Sequence, residues 1–420
     1  MHVLVVGAGV IGVTTAFELR SRGFEVTVVD RQHGVAREAS YGNAGVISTA
    51  YAGPWAQPGM PSKILGYMLR GASPVIFRPS FDPAQWRWLA RWLGECRLPR
   101  FRLNKQRMQR LAEYSRTVLH ELRSRYSIDY EQAQGWLQLF RAVADVERAR
   151  PSIELLALAG MPYRLLRPDE CRALEPALAD GTPLAGGMHL PDEETGNCAY
   201  FARRIKDLAA AEGVRFRFDT AVTGLAVEAG RLREVRTGSG PIAADAVVIA
   251  AGADSGRLLR STGVRLPLYP VKGYSLTARI TRHEFAPLVS VMDEAFKVAI
   301  TRMGNRLRIA GTAELGNRRL VVRDAALGTL LKVARDWFPG AADYAQAQSW
   351  VGARPMLPDG PPVLGATPVA NLYLNVGHGS TGWAMACGSA RLVADIVAGR
   401  EPQIDLEGLT LDRFAGRRKA

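Results

Sequence analysis

A chain of 420 residues is too long for one small core and points to two domains. Its 47% hydrophobic and 22% charged residues suit a globular enzyme and exclude a disordered or fibrous chain. No run approaches ~20 uninterrupted apolar residues, and the short, glycine-broken apolar start is no signal peptide, so a cytoplasmic protein without a membrane span is expected.

The chain opens on an apolar strand that runs into Gly7-Ala8-Gly9-Val10-Ile11-Gly12. A helical stretch from Val13 to Arg22 follows, then a second strand, Glu25 to Val29, with Asp30 at its carboxyl end. Strand, glycine turn, helix, strand and acid arrive in the order of a dinucleotide-binding βαβ unit. Gly7 permits the tight turn, Gly9 lets a pyrophosphate approach the backbone, and Gly12 lets helix and strand pack closely. The helix start offers unpaired N–H groups to phosphate. Asp30, eighteen residues beyond Gly12, is placed to hold the adenosine ribose, with Arg31 beside it. An acid at this point argues against a 2′-phosphate and so against NADP.

Between Arg78 and Arg125 stand twelve basic and four acidic residues, a local net charge of +8 out of +14 for the chain. Trp86, Trp88 and Trp92 lie in the same run, and Asp82-Pro83 reads as an N-cap followed by proline at the first helical position. Beyond it, Trp86, Leu89, Leu93 and Cys96 recur at helical spacing. A peripheral contact with anionic membrane fits this stretch. A surface helix with its aromatic side on the core and its arginines in water fits as well. No nucleic-acid module accompanies it, so nucleic acid is not expected. Four scattered cysteines without a CxxC pair read as reduced thiols, with no metal site.

Five segments are predicted. Residues 1–47, 184–264 and 346–420 form a discontinuous, Rossmann-like cofactor domain, in which Ala251 and Gly252 follow the strand from Ala246 to Ala250. Residues 48–183 are mostly helical and basic, and residues 265–345 alternate in the strand manner. These two form an α+β substrate domain on a mostly antiparallel sheet, so the fold class is α/β. The terminal Arg417-Arg418-Lys419 reads as a solvated tail.

A second Gly-x-Gly-x-x-Gly, Gly377-His378-Gly379-Ser380-Thr381-Gly382, follows the strand from Leu372 to Val376 and opens a helix through Trp383 to Val397. Only 38 residues follow Gly382, and no third strand completes a βαβ unit. This helix start is read as aimed at the far end of the same cofactor. A flavin gains negative charge on reduction, which a helix N-terminus stabilises and a nicotinamide does not need. The cofactor is therefore expected to be FAD.

With these pieces in place, the chain resembles the D-amino acid oxidase-like flavoproteins, and among them the bacterial D-amino acid dehydrogenase small subunits. Val5 to Gly12, Ala39 to Gly45, Tyr51 to Gly59, Pro270 to Ser275, Gly352-Ala353-Arg354-Pro355 and Gly377 to Gly379 carry the likeness across nearly the whole chain. The resemblance implies non-covalent FAD and oxidative deamination of a D-amino acid, by hydride transfer from Cα to flavin N5. The products are a 2-oxo acid and ammonia, in amino-acid catabolism, and a quinone-like acceptor takes the electrons. An oxidase, or a dehydrogenase for cyclic imino acids such as cis-4-hydroxy-D-proline, is the alternative. A flavin-binding sensor without catalysis is a remote third. The resemblance also implies that Ser40, Asn43, Ala44 and Gly45 line the pyrophosphate and flavin, and that Val222 meets adenine through its backbone. Asp30 stands where many relatives carry glutamate.

An amino acid needs a cation for its carboxylate, and the planar fork of arginine suits it best. Arg354, on a strand-like segment, is the first candidate and Arg302 the second. Tyr274 could close over the substrate, Tyr51 could gate it from a Gly/Pro-rich loop, and His378 could touch flavin or amine. Lys272 reads as a solvated strand-edge charge. Catalysis is then mostly positioning and electrostatics, which accounts for the lack of a triad.

Overall fold

In the computed structural model, residues 1–68, 73–158 and 160–417 are described. Arg418 and Lys419 of the basic tail lie outside them.

Two sheets organise the chain. The first has six strands, in spatial order Val363–Ala366, Leu372–Val376, Ala246–Ile249, His2–Val6, Glu25–Val29 and Arg215–Arg217. All pairs are parallel except the edge strand Val363–Ala366. Alternation along His2–Val6 sends Val3 and Val5 to one face and Leu4 and Val6 to the other. The Val3 face packs under helices Val10–Ser21, Cys198–Ala211 and Gly382–Val397. The Leu4 face packs on a three-stranded sheet, Val222–Glu228, Arg231–Thr237 and Gly240–Ile242.

The second sheet has ten strands and is mostly antiparallel. Its central strands Tyr269–Arg279, Arg306–Leu315 and Val298–Met303 turn Leu276, Ile309 and Ile300 onto helix Asp324–Trp337. Their opposite face is small-featured, with Gly273, Ala310 and Ala299 looking into a cavity between the two sheets.

Three stretches lie differently from their predicted segments. Strand Gly186–Thr195 pairs with Ala133–Phe140 in the larger sheet. Strand Gln348–Met356 also joins that sheet, beside Tyr269–Arg279. Helix Leu98–Tyr126 packs on Gly382–Val397, so closely that a Cβ at Gly388 would lie 2.8 Å from the Ser115 backbone. It buries Met108, Leu111, Ala112, Ser115, Val118, Leu119 and Leu122, one stripe at helical spacing.

Helix Pro83–Glu95 begins as predicted, with Asp82 Oδ1 accepting from Ala84 N at 2.8 Å. Its buried side is the other one. Trp88 and Trp92 are 5% exposed, whereas Trp86 and Leu93 of the predicted stripe are 47% exposed. Both stripes have helical spacing, and the packing of Trp88 on Tyr269 decides between them. Helix Val10–Ser21 starts three residues earlier than predicted, because the turn's own Val10, Ile11 and Gly12 form its first turn.

Candidate active site

One cavity of about 1180 Å³ runs from the first glycine turn to the larger sheet. A pocket for one drug-sized ligand is ~300–1,000 Å³, so this space holds a dinucleotide with room for a small second molecule. Gly7, Gly9, Val10, Ile11, Asp30, Arg31, Ser40, Asn43, Ala44, Val222, Ala251, Gly252 and Gly377 to Gly382 all line it. Ala8, Gly12 and Gly45 stand directly behind that lining and shape its turns.

The nucleotide end is built from backbone. Gly9 is the N-cap of helix Val10–Ser21 and brings no side chain to cap it. Ser40 Oγ accepts from Val10 N at 3.0 Å, which ties the 39–45 loop to the helix start. Asp30 sits beyond, its carboxylate accepting from Ala8 N at 2.6 Å and Gln32 N at 2.8 Å. Burial raises its pKa against those two bonds. Arg31 spans Glu38 and Asp254, each at 2.6 Å, and closes this end. A bare helix start with a fixed acid at the end of the next strand fits a dinucleotide.

The 39–45 loop is held from behind. Arg308 Nη1 donates to the carbonyls of Tyr41 and Asn43, each at 2.9 Å. Asn43 Oδ1 accepts from Gly45 N at 2.7 Å, and a side chain at Gly42 would strike the Trp350 ring. Glu193, 3% exposed, accepts from Thr49 N, Thr49 Oγ1 and Ala50 N, all at 3.0 Å, and so fixes the approach to Tyr51. The Tyr51 ring meets Trp136 edge-on at 5.9 Å, and burial drives its hydroxyl pKa well up. None of Arg308, Trp350 and Glu193 was singled out in the sequence. Each acts across a strand or loop contact that has no local spacing.

The second glycine turn faces the same cavity. Gly379 N donates to Pro355 O at 3.1 Å, which seats the turn on the end of strand Gln348–Met356. His378 is 3% exposed, and its Nε2 lies 3.1 Å from Ser389 Oγ on helix Gly382–Val397. Burial pushes its pKa down to about 3, so it is a neutral ring at physiological pH.

Arg354 enters from Gln348–Met356. Its guanidinium lies over Gly273, where a Cβ would come within 2.3 Å of Cζ, and 5.6 Å from the Trp55 ring centre. Nη1 donates to Lys272 O at 3.0 Å. Among the described residues no carboxylate pairs with it. Burial lowers its pKa to about 10, still far above neutrality, so it stays a cation. Trp55, held by Nε1 donating to Ser380 Oγ at 2.9 Å, covers it.

The other predicted groups divide. Tyr274 lines the cavity, but its hydroxyl donates to Glu314. That carboxylate also takes Lys272 at 2.6 Å and Arg323 at 2.8 Å. Lys272 is thus fully buried, not the solvated edge charge read from the sequence. Arg302 is not brought to the cavity; its Nη2 lies 2.8 Å from His283 Nδ1 near the surface. The structure therefore gathers Arg354, Tyr51, Tyr274 and His378 around one space and leaves Arg302 outside.

Residues 2–396 match the model of a family described as FAD dependent oxidoreductase, DAO. The chain is 48% identical over 416 residues to a D-amino acid dehydrogenase of Rhizorhabdus wittichii, covering 99% of this chain and 100% of that one. It is 45% identical over 417 residues to a D-amino acid dehydrogenase of Agrobacterium fabrum, with 99% and 100% covered. Among solved structures, glycine oxidase from Geobacillus kaustophilus superposes with a TM-score of 0.74 at 26% identity, over 100% of this chain and 99% of that one. L-proline dehydrogenase from P. horikoshii superposes at 0.75 and 18% identity, over 99% and 97%.

Proposed function

This chain belongs to the DAO family of FAD-dependent oxidoreductases, and from that premise we propose that Arg354 is the carboxylate clamp of a D-amino acid dehydrogenase. The observation that carries the assignment is a half-buried guanidinium on the cavity wall, with no acidic partner among the described residues. A partly desolvated cation without a counter-ion is costly to keep. It is accounted for when a substrate carboxylate completes the pair.

The chain binds FAD and oxidises D-amino acids to imino acids, which water hydrolyses to 2-oxo acids and ammonia. Bound FAD supplies the two-electron acceptor that no side chain here can provide. The first glycine turn, Asp30, Ser40 and the 39–45 loop hold it, and the helix starting at Gly382 presents its positive end to the same cavity. Arg354 binds the substrate carboxylate by its fork, and Trp55 shields that pair from water. Ala299 and Ala310 keep the sheet wall beside it small-featured, and Gly273 leaves room for the guanidinium that rests over it. His378 donates no charge at neutral pH and serves the helix start as a packed neutral ring. Rate comes from alignment, and no acid–base pair is needed beyond removal of the ammonium proton.

The test is anaerobic visible absorption. D-alanine is expected to bleach the flavin bands and L-alanine to leave them. The assignment fails when no D-amino acid, nor cis-4-hydroxy-D-proline, bleaches them.

A quinone-like acceptor at an anionic membrane completes the proposal. No helix among the described residues is long and apolar enough to cross a membrane. A surface patch supports contact without crossing. Phe81 is fully exposed, Trp86 is half exposed, and Leu320, Val321 and Val322 are exposed on the loop that Arg318 ties to Asp82 at 3.1 Å. Arg87 and Arg91, on the helix that carries Trp86, and Arg319, next to Leu320 in the chain, are exposed as well. Exposed apolar side chains with nearby arginines suit an interfacial position. The cavity wall at Trp88, Leu89, Trp92 and Leu93 lies on the same helix. Changing Phe81→Ser and Val321→Ser together is expected to weaken binding to phosphatidylglycerol vesicles about a hundredfold or more, given ~1.5–3 kcal/mol for each large apolar side chain buried. Reduction by D-alanine in solution stays unchanged. Undiminished co-sedimentation of the double variant would remove this surface from the proposal.

A further inference from the structure

Among the described residues, three lysines or arginines are buried: Lys105, Lys272 and Arg308. Lys272 is held by Glu314, and Arg308 donates to two loop carbonyls. Lys105, 8% exposed on helix Leu98–Tyr126, has neither an ion pair nor a hydrogen bond with any described residue. Burial lowers its pKa from the usual lysine range. Its Nζ is not among the enclosed polar atoms that lack a partner, so open space reaches it, and the residue lines the cavity. A cation kept this deep without an anion calls for one from outside the chain.

Two sets of contacts place that ammonium by the second glycine turn. Ser115 of the long helix meets Gly388, and Glu121, farther along, pairs with Arg391, so helices Leu98–Tyr126 and Gly382–Val397 run the same way. Lys105 precedes Ser115 by ten residues and Gly382 precedes Gly388 by six, so at ~1.5 Å per residue Lys105 lies about one turn before the start of helix Gly382–Val397. The lysine stem also runs along the loop over the cavity. A Cβ at Gly53 would lie 3.7 Å from Lys105 Cγ and 3.9 Å from Cδ. Two residues on, Trp55 Nε1 donates to Ser380 Oγ of the turn at 2.9 Å.

We infer that Lys105 is a flavin-binding residue, whose ammonium donates to the pyrimidine edge of bound FAD beside the start of helix Gly382–Val397. The inference goes beyond the substrate reading and rests on the placing of FAD in this cavity. The substrate carboxylate has Arg354, and D-alanine carries no second anion for a lysine to meet. The flavin pyrimidine gains negative charge when two electrons arrive. A helix start offers only about half a charge to it. A full charge held in place where water is scarce adds to that, and costs no reorganisation when the electrons come. Lys105 thus favours the reduced flavin, and with it the withdrawal of electrons from the substrate.

The test uses FAD-loaded Lys105→Met and Lys105→Arg beside wild type. The flavin midpoint potential is measured against a reference dye, and the Kd of sulfite from its bleaching of the flavin bands. Sulfite adds its electron pair to flavin N5 and leaves negative charge on the pyrimidine, so it reports the same stabilisation without an amino acid. Propionate, which has a carboxylate and lacks the amine, gives a separate Kd for the substrate end. In Lys105→Met the reduced-to-oxidised ratio at a fixed potential is expected to fall about 10- to 100-fold, a potential lower by about 30–60 mV. The sulfite Kd should rise by a similar factor, and the propionate Kd should stay within about threefold. Lys105→Arg keeps the charge and should lie nearer wild type in both potential and sulfite Kd. An unchanged potential and sulfite Kd in Lys105→Met overturns the inference. So does weakened propionate, or a changed preference between D-aspartate and D-alanine, at an unchanged potential, since either puts the ammonium on the substrate. Neither potential nor sulfite binding needs a D-amino acid, so a wild-type flavin that no D-amino acid reduces overturns the substrate reading and leaves this inference to its own readouts.

Discussion

Replacing Arg354 by methionine is expected to cost the enzyme its substrate and to leave the protein, if anything, more stable. Removing one partner of a buried charge pair costs about 2–5 kcal/mol, and hence a fall in kcat/KM for D-alanine of roughly 10²–10³-fold. Propionate, which offers the same carboxylate, should lose its grip by a similar factor. Stability moves the other way. In the free enzyme the guanidinium is half-buried on the cavity wall, its pKa lowered by desolvation, and no acid among the described residues pairs with it. Its main bond there is to the Lys272 carbonyl at 3.0 Å. Methionine fills comparable space without a charge to desolvate, so the melting temperature should hold or rise. Arg354→Lys should fall between: it keeps the charge and loses the fork. A purely structural arginine predicts the reverse, with lost stability and little change in substrate dependence, so melting curves and kinetics on one preparation decide between the roles.

That site is partly legible in the sequence alone. Arg354 stands out because a small zwitterion demands a fork-shaped cation and the residue sits on a strand-like segment near the start of the last predicted cofactor segment. The two glycine turns are legible because each has a local grammar: a strand before, a helix after, and a glycine wherever backbone must approach something. Their helices begin at Val10 and Gly382, within three residues of the reading. What local pattern does not encode is direction. By its place in the sequence Tyr274 could close over the substrate, but whether its hydroxyl reaches substrate or Glu314 depends on what the neighbouring strand places opposite, and Glu314 lies 40 residues away. Lys272 looks solvated until Glu314 is paired across that same ladder. The extra residue at Thr312, between the pairs Gly273–Ala313 and Tyr274–Gly311, is a property of two strands in register and is invisible in either alone. Helix Pro83–Glu95 offers two stripes at the same spacing, and only the partner surface selects the one with Trp88 and Trp92.

The first glycine turn offers the sharpest separation between a fold requirement and a cofactor requirement, through two single-methyl changes. At Gly12 an added Cβ would lie 1.9 Å from the Gly7 carbonyl oxygen and 2.9 Å from its carbon. Both are backbone atoms of a residue already at φ +111°, itself packed on the Ala250 carbonyl. Neither can yield without moving the strand end, so in Gly12→Ala helix Val10–Ser21 must back away from the sheet. Overpacking of this kind costs about 1–3 kcal/mol, and it displaces the first-turn N–H groups that phosphate requires. The purified variant should show a lowered melting temperature and a flavin-to-protein absorbance ratio below about a tenth of wild type. Gly9 is different. A Cβ there meets only Ser40 Oγ, at 3.4 Å, an ordinary contact, and Gly9 lines the cavity. Gly9→Ala should therefore fold with its apo stability intact and still lose FAD, because the methyl occupies the space the pyrophosphate needs. Full flavin content in Gly9→Ala would move the pyrophosphate away from this turn, and an unchanged melting temperature in Gly12→Ala would mean that the helix does not rest on Gly7 as closely as 1.9 Å implies.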